Sequence, residues 1–471
     1  MILIKKINEV FVSITGEISH LKEIETKFTF KAPGYRFHPL FKAHKWNGNI
    51  SLFSIDSGEF YIGILPELIE FLNKSKYEYK VEGDFLKVDI TEEDAQQFIK
   101  SLNLPITPRD YQVKYFIKMV NNYRGICLSP TNSGKSLIIY LLCRYFNQKT
   151  LIIVPFLSLV NQLYEDFKYY GYDSEKNIDK IAGAGNHQSE NCIQIADWQS
   201  IYKKDKRFFK NYKVVIGDEV HKFKAKSLKS IMEKLTNTPI RVGLTGTLSD
   251  EELSNLTIKG LFGPISSYVT QDKLIKDGYS SPINIKMIKL LYPNIDIKME
   301  YKDEIQFILK SKKRQTFIKN LSLKMKGNTF IMFRFKDHGK KLYDAIKLES
   351  QIPVFFVDGS TPEEERQEII KNIETLENSI TIASSVFSTG INIKRIHNLI
   401  LIQPSKSRIN TLQTIGRGLR VSEYKSSLTI YDIVDDFQYD NDDNFSLIHA
   451  KKRKTMFKFE KFPFKEFIYK F

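Results

Sequence analysis

Two stretches of this chain combine residue types and spacing suited to phosphate chemistry. In SPTNSGKS, residues 129–136, successive backbone NH groups can form an anion nest around a phosphate. Lys135 can reach the terminal phosphates, and Ser136 can hold magnesium at the start of a helix. Pro130, Thr131, Asn132, Ser133 and Gly134 supply the rest of the loop; Ser129 stands where the general phosphate-loop pattern has glycine. Further along, VVIGDEVH places Asp218 and Glu219 at the end of an apolar strand. Asp218 suits a magnesium ion, and Glu219 suits the orientation or deprotonation of an attacking water. Each stretch alone also reads as a turn before a core helix or an acidic strand end. Their succession points to a nucleoside triphosphate and its magnesium-dependent hydrolysis. His221 can couple this acidic centre to Thr245 or Thr247 in LTGT, or make a purely structural hydrogen bond.

These residues must be held by strands and helices of fixed order. The apolar ICLSP segment, the phosphate loop and the helix-like LIIYLLC read as strand, loop and helix. TLIIVP, IQIA, KVVIGDE and RVGLTGT supply further short buried strands, so an α/β domain is the economical reading. A second succession runs through INIKMIKLLYP, NTFIMF, PVFFVDGS, SITIASS, NLILIQPS and LTIYDIV, with a basic helix-like region at 302–326, and predicts a second α/β domain. Short alternating strands at 2–14 and 50–55 and a helix near 65–73 make a small leading module. The expected division is a module at 1–100, α/β domains at 101–280 and 281–445, and a basic aromatic tail at 446–471.

The chain has 471 residues and a formal charge of +16, a field that favours phosphate-rich partners without choosing among them. Residues 1–100 are not the source, with 13 basic against 15 acidic side chains. Within them, KAPGYRFHPLFKAHKWNG sets Lys31, Arg36, Lys42 and Lys45 among Tyr35, Phe37, Phe41 and Trp46. That mixture fits phosphate attraction with base stacking, and equally core aromatics beside a charged surface. His38 and His44 lack a metal-ligand spacing. KKDKR at 203–207, KSKKR at 310–314 and KKRK at 451–454 are either stretches of a nucleic-acid track or solvated faces. Cys127, Cys143 and Cys192 form no CxxC pair, and no apolar run approaches the 18 or more residues of a membrane helix. A soluble, cytoplasmic protein without a membrane partner is expected; its protein partners cannot be read.

PRDYQ, SPTNSGKS, VPFLSLVNQ, DEVH, LTGT, SSVFSTGIN and QTIGRGLR occur in the order of the superfamily 2 helicases, across roughly residues 105–435. The shorter leading module and the unusual phosphate loop and DEVH look most like the UvsW recombination and repair helicases of T4-like phages. That resemblance implies an α/β fold of two tandem RecA-like helicase domains with a small N-terminal α+β module, and ATP with Mg2+ as cofactors. It implies adenine recognition by Gln112 with Arg109 nearby, and phosphoryl-transfer roles for Gln413, Arg417 and Arg420 in QTIGRGLR. Nucleic-acid contacts are implied around Pro155, Gln199, Thr389 and Gly390, to which the leading module adds Arg36, Lys42, Lys45 and Trp46. Asn392 stands where many relatives have aspartate, which puts a ribose-contacting carboxylate in doubt. The implied activity is ATP-dependent unwinding or branch migration of forked and recombination DNA, with single-stranded DNA and RNA–DNA hybrids as further partners. RNA-duplex remodelling, a restriction-system translocation subunit and a scaffold without turnover are the competing readings.

Overall fold

A computed structural model describes all residues except 183–190, 224–225, 250, 294–298, 385–392, 394, 403–414, 417–420, 422–425 and 438–441. The chain divides into two compact units, Met1–Ser129 with Gly134–Tyr268, and Val269–Phe471 with Pro130–Ser133. None of the described helices is long and apolar enough to cross a membrane.

The first unit opens with strands β1 (Ile2–Lys6), β2 (Phe11–Thr15), β3 (Thr29–Lys31), β4 (Asn49–Ser51), β5 (Glu59–Tyr61) and β6 (Tyr79–Glu82). They form a four-stranded sheet in the order β5-β2-β1-β6 and a separate antiparallel pair, β3 with β4. Alternate residues Ile2, Ile4, Val12 and Ile14 are buried, the period of two expected of a sheet covered on one face. That face joins the interior of the neighbouring α/β domain in one continuous core, which includes Ile4, Phe60 and Leu68 alongside Leu256, Leu261 and Phe262. Polar ties reinforce the joint. Lys259 Nζ donates to Glu67 Oε1 at 2.8 Å, the Tyr61 hydroxyl donates to Glu233, and the fully buried Arg241 caps the carbonyls of Leu261 and Met232 while reaching Glu9 O at 3.4 Å. Gly63 makes the approach possible, because a Cβ there would sit 2.0 Å from the carbonyl oxygen of Lys259.

The α/β domain of this unit contains β7 (Arg124–Leu128), β8 (Thr150–Val154), β9 (Ile178–Ile181), β10 (Ile193–Asp197), β11 (Val214–Asp218), β12 (Ile240–Thr245) and β13 (Ile265–Ser266). All pair in parallel, in the order β13-β7-β12-β11-β8-β10-β9. Helices such as Lys135–Phe146 and Leu157–Tyr169 make the crossovers. Both faces of the sheet are covered, and β8 (TLIIV) and β12 (IRVGLT) are accordingly buried at every position.

The second unit repeats the plan with β14 (Ile283–Leu291), β15 (Thr329–Phe333), β16 (Val354–Val357), β17 (Ile380–Ser384), β18 (Asn398–Leu401), β19 (Leu428–Asp436) and β20 (Phe464–Lys470). The order is β16-β17-β15-β18-β19-β14-β20, again all parallel. Residues 446–471 are therefore not a tail apart from the domain. Helix Phe445–Phe459 is fixed at its start by the buried Glu304, whose carboxylate accepts from the amides of Phe445 at 2.7 Å and Ser446 at 2.6 Å. β20 then adds the edge strand beside β14.

Two of the basic clusters are also redefined. Arg314 of KSKKR and Arg453 of KKRK are buried, and each pairs with an aspartate of β19. Arg314 Nε donates to Asp435 Oδ1 at 2.7 Å, and Arg453 grips Asp432 with two bonds of 2.9 and 2.8 Å. Their lysine neighbours Lys312, Lys313, Lys451 and Lys452 stay exposed. Removing one partner strands a charge in the interior, which typically costs about 3–5 kcal/mol. Arg453→Ala is therefore expected to lower the denaturation midpoint of the second unit and accelerate hydrogen exchange along β19. The double change Arg453→Met with Asp432→Leu should recover most of the loss.

Candidate nucleotide-hydrolysis site

The three adjacent strands β7, β12 and β11 end together. Leu128 of β7 lies opposite Thr245 of β12, and Leu244 of β12 lies opposite Asp218 of β11. The phosphate loop, the LTGT segment and the DEVH carboxylates thus leave the sheet side by side at its carboxyl edge, where ligands of open parallel sheets bind. Ser129 is tied to this edge by donating its amide to Thr245 O at 2.8 Å.

Within the loop, Ser133 is buried and its hydroxyl donates to Pro130 O at 2.7 Å. Asn132 and Gly134 take left-handed backbone angles, φ 67° and 74°, and helix Lys135–Phe146 begins directly after them. Lys135 Nζ lies 3.3 Å from Ser129 O, folded back over the loop. Gln112 forms the rear wall. Its Oε1 accepts from Arg109 N at 2.8 Å, capping helix Asp110–Asn122, while its Nε2 donates to Gly134 O at 3.1 Å. A Cβ on Gly134 would meet that amide nitrogen at 2.4 Å, so only glycine permits the contact. Arg109 Nη1 donates to the Tyr111 hydroxyl at 2.7 Å.

Asp218 ends β11, and Glu219 follows in a left-handed conformation, φ 52°, unusual for a residue with a side chain. The turn breaks the strand's alternation, and Asp218 Oδ1 accepts from Glu219 N at 2.9 Å. Burial and the adjacent Glu219 charge push the Asp218 carboxyl above its ordinary range. Burial opposes ionisation of Glu219 too, but the charge of Lys135 and a hydrogen bond from His221 overcome it and hold that carboxyl low. His221 Nδ1 stands 3.3 Å from Glu219 Oε2 and 3.0 Å from Thr245 Oγ1, joining the carboxylates to LTGT.

The donor set suits a magnesium–triphosphate. Glu219 Oε2 is buried with His221 Nδ1 3.3 Å away, and Asp218 and Ser136 offer the hard oxygen ligands magnesium prefers. No group of three or more His, Cys, Asp or Glu side chains able to hold a metal gathers among the described residues. Sequence reasoning missed Tyr170, whose hydroxyl is 2.9 Å from Ser136 Oγ. It lies past the end of helix Leu157–Tyr169 in no motif, and only the fold brings it to the loop.

Comparison with known proteins gives this site a lineage. Residues 4–82 match the family described as DNA helicase UvsW, N-terminal; residues 105–250 match the type III restriction enzyme res subunit family; and 312–422 match the helicase conserved C-terminal domain. The ATP-dependent DNA helicase uvsW of Enterobacteria phage T4 is 33% identical over 448 residues, spanning 90% of this chain and 88% of the relative. The chain belongs to the UvsW family of superfamily 2 helicases. The crystal structure of T4 UvsW aligns with a TM-score of 0.53 at 29% identity, covering 100% of this chain and 99% of that one. The DNA 3'-5' translocase XPB2 of Sulfurisphaera tokodaii is more distant, 24% identical over 73% of this chain and 86% of its own length. The tandem RecA-like fold with a small N-terminal α+β module is that of the UvsW family.

The other expected contacts fare unequally. Pro155 and Gln199 lie past the carboxyl ends of the adjacent strands β8 and β10, but Pro155 is buried while Gln199 is exposed, so only the latter offers its side chain. Arg36, Lys42 and Lys45 are exposed and Trp46 is half-buried. Thr389, Gly390, Asn392, Gln413, Arg417 and Arg420 lie outside the described residues.

Gln112 links helix cap and phosphate loop in one side chain, which gives a test independent of turnover. Gln112→Ala should speed amide exchange at residues 134–138 and lower stability by about 1 kcal/mol, the usual worth of a lost cap. Gln112→Glu keeps the acceptor and should retain the cap while freeing Gly134.

Proposed function

We propose that this chain is an ATP-dependent DNA helicase and translocase that unwinds or branch-migrates forked and recombination DNA and dissociates RNA from R-loops. The observation that carries the reading is the convergence of Lys135, Asp218 and Glu219 at the carboxyl ends of β7 and β11, with Gln112 behind the loop. Membership of the UvsW family supports DNA as the polymer.

In this reading the NH groups of 130–136 cradle the phosphates and Lys135 moves from Ser129 O to the terminal ones. Gln112, fixed between the helix start and the Gly134 carbonyl, recognises adenine as the family resemblance implies, with Arg109 beside it. Ser136 and Asp218 would hold a magnesium ion, which neutralises phosphate charge as it is transferred. Glu219, kept ionised, orients the attacking water and accepts its proton. His221 and Thr245 carry a change at Glu219 into the LTGT segment. The family resemblance assigns Gln413, Arg417 and Arg420 to the charge that develops on the transferred phosphoryl group. Thr389, Gly390 and Gln199 serve the nucleic-acid backbone.

Lys135→Ala is expected to lower DNA-stimulated ATP turnover at least about a hundredfold, the scale of losing one charge-stabilising donor. Turnover and product strands are measured together on single-stranded DNA, forked DNA, four-way junctions and RNA–DNA hybrids. Retained turnover would remove Lys135 from its role. Efficient action on an RNA duplex with none on branched DNA would overturn the substrate class.

A further inference from the structure

The near-neutral charge count of residues 1–100 conceals a sharp segregation. Between Thr26 and Ile55 there are five lysines and arginines and no aspartate or glutamate, whereas the rest of residues 1–100 has eight basic and 15 acidic side chains. This basic stretch contains the β3–β4 pair and the connection between its strands. The connection has a defined shape. Ala32 N donates to Gly48 O at 2.8 Å, Lys31 Nζ to Asn47 O at 2.8 Å, and Trp46 Nε1 to Asn49 O at 2.9 Å. Its rings pack on one another, Tyr35 edge-on to Phe41 at 4.8 Å and His38 edge-on to Trp46 at 5.1 Å. A short turn, Tyr35–Phe37, is closed by the bond from Phe37 N to Gly34 O at 2.9 Å.

Phe37 is the exception. Its side chain is 81% exposed at the end of that turn, with Leu40 beside it at 49%, and it shares in none of the described ring contacts. The aromatics expected as either core or nucleic-acid contacts therefore divide: Tyr35, Phe41 and Trp46 hold the segment together, and Phe37 faces outward between Arg36 and His38. The hydrophobic effect disfavours so exposed a phenylalanine relative to a buried one. Positive charge around an open aromatic face complements a phosphate backbone bearing an accessible base. A paired duplex hides the faces of its bases; a branch point exposes them. The shared core between this module and the ATP-binding domain fixes the segment to the motor unit, so a base held here is held relative to the nucleotide site.

We infer that Phe37 is a stacking residue for a base exposed at a DNA branch point, with Arg36, Lys42 and Lys45 holding the flanking phosphates. The inference rests on DNA being the polymer of the proposed function, and it deepens that reading by naming the group that separates branched from linear DNA.

The test is nucleotide-free binding of the full chain to a fork and to a linear duplex of matched sequence and salt, followed by anisotropy. Its outcome is independent of whether Lys135 supports turnover, so failure of the hydrolysis reading and failure of this one are distinguishable. Phe37→Ala is expected to weaken fork binding about tenfold, within the range for one lost base–aromatic stack, and to change duplex binding less than about twofold. Phe37→Trp should restore fork binding. Arg36→Ala, Lys42→Ala and Lys45→Ala should each weaken both DNAs and flatten the salt dependence by about one unit of slope. In the unaltered chain, 5-iodouracil placed at the branch should photocrosslink to Phe37, a readout that does not depend on the variants folding. Wild-type fork affinity in Phe37→Ala, equal losses on fork and duplex, a Trp variant as weak as Ala, or a crosslink mapping away from residues 34–46 would each overturn the inference.

Discussion

Two carboxylates and a lysine held together at the carboxyl edge of a parallel sheet set the terms for the first unit. Holding Asp218 and Glu219 side by side and half-buried is costly, and the cost is tolerable only while Lys135 lies near enough to lower it. That requires β7 and β11 to end level with each other, which the register through β12 provides. It also requires a phosphate loop that turns back on itself, with left-handed Asn132 and Gly134 and with Gln112 against the glycine. The positive φ of Glu219 belongs to the same demand, since an extended residue there would send the two carboxylates to opposite faces.

The second unit uses buried charge for a different end. β19 carries Asp432 and Asp435 into the interior, and arginines distant in sequence neutralise them. Arg314 fastens helix Lys312–Leu323 to the sheet, and Arg453 fastens the C-terminal helix. Such pairs contribute less to net stability than to defining which helix lies where.

The strands and the phosphate loop were legible because their signals are local. Runs such as TLIIV and VVIGD need no partner to be recognised as buried strands, and SPTNSGKS carries its chemistry in eight consecutive residues. What escaped depends on distant partners. KSKKR and KKRK look uniformly solvated until aspartates more than 20 residues away claim their arginines. The last 26 residues resemble a tail because β20 acquires a partner only through β14, far upstream. Tyr170 carries no motif, and Pro155 lies in a motif that says nothing about its burial. In KAPGYRFHPLFKAHKWNG the composition leaves core packing and nucleic-acid contact both open, and which ring faces outward is decided by packing among the others.

In the proposed function the chemistry of one carboxylate, Glu219, drives movement on DNA. Its most direct test is Glu219→Gln, in which phosphate release and strand separation are followed together on forked DNA while ATP affinity is measured separately. Nucleotide affinity should stay within about threefold, because the amide keeps the side chain's size and polarity, while phosphate release and strand separation fall in parallel by about 10²–10⁴-fold. Strand separation that continues without hydrolysis, or hydrolysis that survives the substitution, would contradict it.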